Sequence, residues 1–391
     1  VGGATPRSDG REGEWAGPRS LSECLGARSE AMATYIHVPP AAPAVLKLQL
    51  TVDEHDLGAG AVRIIRELRP HWDPAEVKLK LFTDGITNKL VGCYVGDSFE
   101  DVVLVRVYGN KTELLVDREN EVKSFRVFHT YGCAPRLYCT FQNGLCYEFV
   151  EGTALDPEDV RSPSIFRLIA RQLAKIHSIH AHNGWLPKPN LWLKLEKYFA
   201  LVPTELTDVH ANARFQMEIP GRWELEQELA WMKKCLSSLG SPVVLCHNDL
   251  LCKNIIYNEK EGHVKFIDYE YASYNYQAFD IGNHFNEFAG LNEVNYSLYP
   301  DKTVQMEWLR TYLEALKEYK SFCTDITEKE IEVLYIQVNF FSLASHFFWA
   351  LWALIQTKYS TIDFDFLGYA IVRLKQYFKM KPEVLALKLP E

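Results

Sequence analysis

The sequence predicts an α+β fold in two lobes, a β-rich N-terminal lobe followed by a mainly helical C-terminal one. Three observations carry that reading. Short alternating or β-branched runs crowd between Val77 and Val150. After Val150 the apolar residues switch to helical spacing. A chain of 391 residues also exceeds one ordinary domain of roughly 100–200 residues.

The elements follow in order. Residues 1–30 are rich in Gly, Ser, Arg and Glu with no apolar period, and 31–45 are rich in Ala and Pro, so 1–45 read as a disordered tail and linker. A helix is expected from Leu57 to Leu68, with Val62, Ile65 and Leu68 on one face and Pro70 ending it. Val77 to Leu81 alternates as a half-buried strand does, and Leu90 to Val95 reads as a second strand. Val102 to Val107 is nearly all apolar and β-branched, which suits a central strand. Glu119 to Phe128 is helical in pattern. Two further strands, Arg136 to Phe141 and Leu145 to Val150, flank Gln142-Asn143-Gly144, a hairpin signal. Five strands and one helix therefore make the N-terminal lobe, 46–149.

The second lobe, 150–391, opens on a hinge near Glu148 to Gly152. Helices are expected from Ser162 to His182 and from Glu224 to Leu239. A small β-insert follows, Val243 to Cys246, Asn254 to Tyr257 and Val264 to Ile267. Helices then cover Gln277 to Ala289, Val304 to Tyr319, Glu328 to Lys358 and Asp363 to Lys379. A β-rich lobe before an α-rich one is the order of protein-kinase-like folds, which hold nucleotide in the cleft between.

Composition narrows the partners. A hydrophobic share of 47% fits a soluble globular chain. The net charge of −9 argues against nucleic acid, which needs a basic face, and is compatible with a cationic substrate. Nine cysteines form no C-x-x-C pair, so a zinc site is unsupported and reduced thiols in a cytoplasmic protein are expected. The longest apolar run, Phe347 to Ile355, has nine residues, short of the ~20 that span a bilayer. A buried helix is expected there, with no stable membrane insertion.

The chemistry sits at a strand end. After Val243-Val244-Leu245 comes "CHNDLLCKN", Cys246 to Asn254. His247, Asp249 and Asn254 repeat the spacing of the protein-kinase catalytic loop, H-R-D-x-x-x-x-N. There the Asp takes the proton of the attacking hydroxyl and the Asn binds magnesium, an ion that wants oxygen ligands in a near-octahedral set. A second ligand is expected at the end of the next hairpin, and "KFIDYE" supplies Asp268, fourteen residues after Asn254. One such motif alone reads equally as a polar strand-end turn; the two in sequence favour a metal-nucleotide site.

The next stretch, "FIDYEYASYNYQAFDIGNHFNEFAG", runs D-x-E, N, D-x-x-N and N-E. With "CHNDLLCKNIIYN" before it, the chain resembles the choline/ethanolamine kinase family from about Tyr35 to Pro390. It departs from the usual choline-kinase loop, "HNDCQEGN", between Asp249 and Asn254. The resemblance implies ATP-dependent phosphorylation of ethanolamine, the first step of the CDP-ethanolamine route to phosphatidylethanolamine. A choline or dual-substrate kinase stays open, as does a catalytically inactive kinase-like binding module. It implies Asp249 as catalytic base, Asn254 and Asp268 as magnesium ligands, and Asp280 as a brace for the loop. His247 is read as structural, and Glu270 as a loop or metal-side acid.

For ATP there is no G-x-G-x-x-G. The loop Thr83-Asp84-Gly85-Ile86-Thr87-Asn88-Lys89 stands in its place, with Gly85, Thr87 and Asn88 able to face phosphate. A plain hairpin loop fits those residues as well. Arg106 occupies the position of the phosphate-pairing Lys, as in the family, and should meet the helix acid Glu121, because an unpaired cation inside an apolar strand is costly. Adenine is expected against the backbone at Glu148, Phe149 and Val150. By resemblance the amine site is Glu287 with Trp349, Trp352 and Tyr369, ring faces and a carboxylate that attract a cation. Alone, the two Trp are more often core. Ethanolamine's three N–H donors call for acceptors, and Glu287 and Asn286 are the candidates. A homodimer is compatible with all of this.

Overall fold

In the computed structural model, the described residues are 36–82, 88–97, 101–184, 186–322 and 324–390. Gly85, Thr87 and residues 1–35 lie outside them.

The N-terminal lobe is a six-stranded sheet. Its strands are β1 (Leu46–Lys47), β2 (Lys78–Phe82), β3 (Asn88–Tyr94), β4 (Val103–Tyr108), β5 (Leu137–Phe141) and β6 (Gly144–Glu148), in the order β1-β5-β6-β4-β3-β2. Five were expected; the sixth, β1, is two residues pairing parallel with Cys139 and Thr140, too short to show a period. Helix α1 (Leu57–Leu68) begins and ends where expected, but its buried face is Gly60, Ala61, Ile64 and Ile65 rather than Val62 and Leu68. It packs on Val91, Val103, Val105 and Cys146 of the sheet. β2 departs from the half-buried reading. It is the outermost strand, and Leu79 and Leu81 stay 42% and 56% exposed, since an edge strand has a neighbour on one side only. The β5–β6 hairpin turns at Gln142-Asn143, and the interior β4 is buried along all but its last residue.

Helix α2 (Arg118–Thr130) lies against the opposite face, capped by Asp117, which accepts from the Asn120 N–H. Phe125, Val127 and Phe128 of α2 join the core of the second lobe, so that face of the sheet is anchored to the other lobe. Ile36 is buried, and the His37 N–H donates to the Ala181 carbonyl. From residue 36 onward the expected linker is therefore packed on the second lobe.

The C-terminal lobe comprises β7 (Thr153–Ala154), α3 (Pro163–His177), α4 (Leu191–Leu201), α5 (Val209–Glu218), α6 (Arg222–Ser237), β8 (Val243–Cys246), β9 (Ile255–Asn258), β10 (His263–Phe266), β11 (Ser273–Tyr276), α7 (Gln277–Glu287), α8 (Lys302–Tyr319), α9 (Glu328–Tyr359) and α10 (Phe366–Leu385). α3 stops five residues short of the expected end. The chain beyond is instead tied to β11, where the Ala181 N–H donates to the Tyr274 hydroxyl. α4 and α5 went unread, although Leu191, Leu195 and Tyr198 bury at helical spacing. The β-insert is two sheets rather than one: β9 joins β10 and β7, and β8 pairs with β11. α9 has Asn339, Ser342, His346 and its aromatics buried alike, as a helix surrounded by protein does. Its apolar stretch is long enough for a bilayer and is wholly buried by neighbouring helices.

Candidate active site

β8 leads into the expected catalytic loop, and α7 holds it. Both oxygens of Asp280 accept backbone N–H groups, from His247 at 2.8 Å and from Asn248 at 2.8 Å. Asn248 has φ +68, a conformation that costs energy in most residues and suits Asn. Its side chain is held by the Tyr271 carbonyl, Ser273 and Asn275. His177 of α3 supports Asp280 from behind at 2.9 Å and bonds the Tyr312 hydroxyl at 2.6 Å. Burial alone would raise the Asp280 carboxyl; His177, with His247, brings it below its ordinary value. His247 bonds the Ile267 carbonyl at 2.9 Å. Both Asp280 and His247 thus brace the loop.

Three predicted residues come together beneath that brace. The Asn254 amide donates to the Asp249 carbonyl at 2.8 Å and approaches its carboxylate at 3.4 Å. The Ile267 N–H donates to the Asn254 carbonyl at 3.0 Å, which brings Asp268 alongside. Asp268 has φ +64, turning its side chain out of the strand direction. Burial, then the like charges of Asp268, Glu287 and Glu270, push the Asp249 carboxyl well above its usual range. The Asn254 N–H is spent on Asp249, so the oxygen of that amide is the free end. An amide oxygen and a carboxylate beside other acids form a hard donor set with surplus negative charge, which fits magnesium.

On the N-terminal side, Arg106 of β4 meets Asp268 Oδ1 at 2.6 Å and pairs with Glu121 of α2. Burial works against the Arg106 charge, but Asp268 and its neighbours more than offset it, so it stays cationic. Glu270 accepts from Asn88 at 3.1 Å and from Arg118 at 2.9 Å. Of the expected phosphate loop only its last two residues, Asn88 and Lys89, are described. At the hinge, the N–H groups of Glu148 and Phe149 are used by the Arg136 and Val102 carbonyls. The expected adenine contact is thereby narrowed to carbonyl oxygens and Val150. The Phe149 ring lies 6.4 Å from that of Phe82. A cavity of about 360 Å³ touches Glu148, Phe149 and Val150, but from the side of His129 and Lys265, and it includes none of Asp249, Asn254 or Asp268.

The aromatic residues expected around the amine are buried together. Trp349 and Trp352 meet edge to face with centroids 5.6 Å apart. Their N–H groups are spent on Asn283 at 2.7 Å and the Tyr271 hydroxyl at 2.9 Å, so it is ring surface that they offer. Glu287 is paired with a residue the sequence did not flag. Arg373 of α10 donates to Glu287 Oε1 at 2.7 Å, to the Tyr369 hydroxyl at 3.2 Å and to Ser345 at 3.1 Å. Asn286, the other acceptor expected for the amine, donates its amide N–H to the Ser342 carbonyl of α9 at 2.9 Å, which leaves its buried amide oxygen without a partner.

Arg118, Arg373 and Lys194 are the charged residues that sequence reasoning missed. Arg373 follows Tyr369 by one turn, and Arg118 precedes Glu121 by three residues; both are helical contact spacings. Lys194 of α4 donates to the Leu115 carbonyl at 2.6 Å, and burial lowers its ammonium to about 8.

Comparison with known proteins bears on this geometry. A choline/ethanolamine kinase family model matches residues 79–378. Ethanolamine kinase 1 of Mus musculus is 71% identical over 363 residues, 92% of this chain and 100% of that protein. The solved structure of a Plasmodium vivax ethanolamine kinase is 29% identical with a TM-score of 0.73, covering 83% of this chain and 89% of that one. A structure of LicA in complex with AMP is 18% identical with a TM-score of 0.56, covering 82% of this chain and 98% of that one; it shares the fold.

Proposed function

Because this chain belongs to the choline/ethanolamine kinase family, we propose that it transfers the γ-phosphoryl group of ATP to the hydroxyl of ethanolamine, giving phosphoethanolamine and ADP. That product enters the CDP-ethanolamine route to phosphatidylethanolamine. The observation that carries the reading is that Asn254 bonds Asp249 while the charges of Asp268 and Glu287 lie near enough to raise the Asp249 carboxyl. It is supported by 71% identity to a mouse ethanolamine kinase over that protein's full length.

In this mechanism Asp249 accepts the hydroxyl proton of ethanolamine. Its raised carboxyl suits a site that works only when filled. Burial and then the like charges of Asp268, Glu287 and Glu270 raise it, and a bound cation would offset the like-charge part of that shift. Asn254 and Asp268 would hold magnesium, which neutralises charge on the transferring phosphate. Arg106, cationic at every working pH, holds Asp268 and would pair with phosphate oxygens. Glu287 and Tyr369 offer oxygens to the ammonium, and Trp349 and Trp352 exclude water beside it. Primary over quaternary selectivity follows from those acceptors, which a quaternary ammonium has no N–H to use.

Asp249→Asn is the direct test. ADP release with ethanolamine and Mg²⁺ is expected to vanish while ADP binding by equilibrium dialysis persists. A near-normal rate in that variant removes the base assignment. A wild-type kcat/KM for choline equal to that for ethanolamine removes the substrate assignment.

A further inference from the structure

Five charged side chains alternate in sign between the two lobes. Asp268 pairs with Arg106, and Arg106 with Glu121. Glu121 pairs with Arg118 at 2.9 Å, and Arg118 with Glu270 at 2.9 Å. Three carboxylates and two guanidinium groups sum to −1. The row is buried at Glu121, Glu270 and Arg106, at 0%, 1% and 4% exposure, and partly open at Arg118 and Asp268, at 18% and 28%. Arg118 closes it. Its Nη2 donates to the Thr112 hydroxyl at 2.6 Å, and its guanidinium stacks on the Tyr108 ring at 3.7 Å. Asn88, at the end of the expected phosphate loop, donates to the same Glu270 oxygen that Arg118 holds.

We propose that Arg118 is a second positioning residue for the nucleotide: a counter-cation that holds Glu270 in the free protein and serves the phosphates once a divalent ion has taken over the acids. The proposal rests on the reading of Asp268 as a metal ligand and goes beyond it, because it makes metal and nucleotide each other's condition for binding. The physical reason is charge balance. Without metal, Asp268 and Glu270 lie two residues apart, and each has one Arg as its counter-charge. A divalent ion beside Asp268 supplies two positive charges and weakens the hold of both acids on their guanidinium groups. A guanidinium released there keeps its fork of donors, a shape that matches phosphate oxygens. Arg118 also starts α2, so the positive end of a thirteen-residue helix lies under the same spot.

The test uses opposite signs. In Arg118→Gln the acids lose a counter-cation and the phosphates lose a donor. Mn²⁺ binding to the nucleotide-free protein, read by the EPR signal of the free ion, is expected to tighten several-fold. ADP binding in saturating Mn²⁺, read by equilibrium dialysis, is expected to weaken about tenfold, and in EDTA to change less than about twofold. A residue that merely supports packing would weaken both, and that result overturns the proposal. Changes under about twofold in both would overturn it too. Arg118→Lys keeps the charge without the fork, and covers the case in which the Gln variant does not fold. It is expected to bind Mn²⁺ like wild type and ADP more weakly; wild-type ADP affinity there also overturns the proposal. Full turnover in Asp268→Asn removes the underlying metal reading instead, whatever Arg118 does.

Discussion

Nη1 of Arg373 lies 2.7 Å from Oε1 of Glu287, with both side chains buried. One oxygen of the acid that faces the expected amine site is thus already engaged by a fixed cation. An ammonium entering the expected site would meet the other oxygen, beside a carboxylate already paired with Arg373. Removing one partner of a buried pair leaves the other uncompensated, at a cost of about 3–5 kcal/mol. Arg373→Met is expected to lower stability on that order in a denaturant melt. It is also expected to raise the KM for ethanolamine more than the KM for ATP, because Glu287 and Tyr369 lose the group that orients them.

Asp280 holds the catalytic loop by two backbone N–H groups, and His177 in turn holds Asp280. Asp280→Asn keeps the size but turns one acceptor into a donor facing an N–H. Leaving a buried donor unsatisfied costs about 1–3 kcal/mol. The expected outcome is a kcat reduced at least about tenfold, with ADP affinity near wild type, because the loop sets the geometry of the base rather than the nucleotide cleft. Steady-state kinetics beside equilibrium dialysis checks it.

α7 and α9 meet across Gly282. A Cβ there would lie 2.7 Å from the Val338 carbonyl oxygen and 2.9 Å from the Ser342 nitrogen, both backbone atoms of α9. Gly282→Ala is expected to destabilise by about 1–3 kcal/mol, the usual range for overpacking. The same substitution at an exposed helix position would stabilise slightly. A melting temperature at or above wild type would show that the two helices separate without cost.

His284 is fully buried, with Nδ1 donating to the Leu250 carbonyl of the catalytic loop at 3.0 Å. Burial lowers it from 6.5 to about 4. The unfolded chain therefore takes up a proton on His284 before the folded one does. The stability tied to the neutral ring is complete above pH 6.5 and is lost as pH falls toward 4. The shift corresponds to about 3 kcal/mol across that window. His284→Gln, compared with wild type in urea melts, is expected to flatten the decline between pH 6.5 and 4.

The amino-acid sequence determined the two-lobe order, most helix positions and the strand-end position of His247, Asp249 and Asn254, because those depend on local spacing. His247, Asp249 and Asn254 flank one strand end, and Asp268 ends the next hairpin, so distance along the chain already limits where they lie. The partners of the acids were a matter for the tertiary structure. Arg118 reaches Glu270 across 152 residues, and Arg373 reaches Glu287 across 86, separations over which no periodicity carries information. The sequence paired Arg106 with Glu121 because a cation in an apolar strand demands an acid, yet it did not show that Glu121 serves two Arg. Local spacing decides which groups are present at a strand end; only packing between distant segments decides which charges neutralise one another, because Coulomb energy follows distance in space.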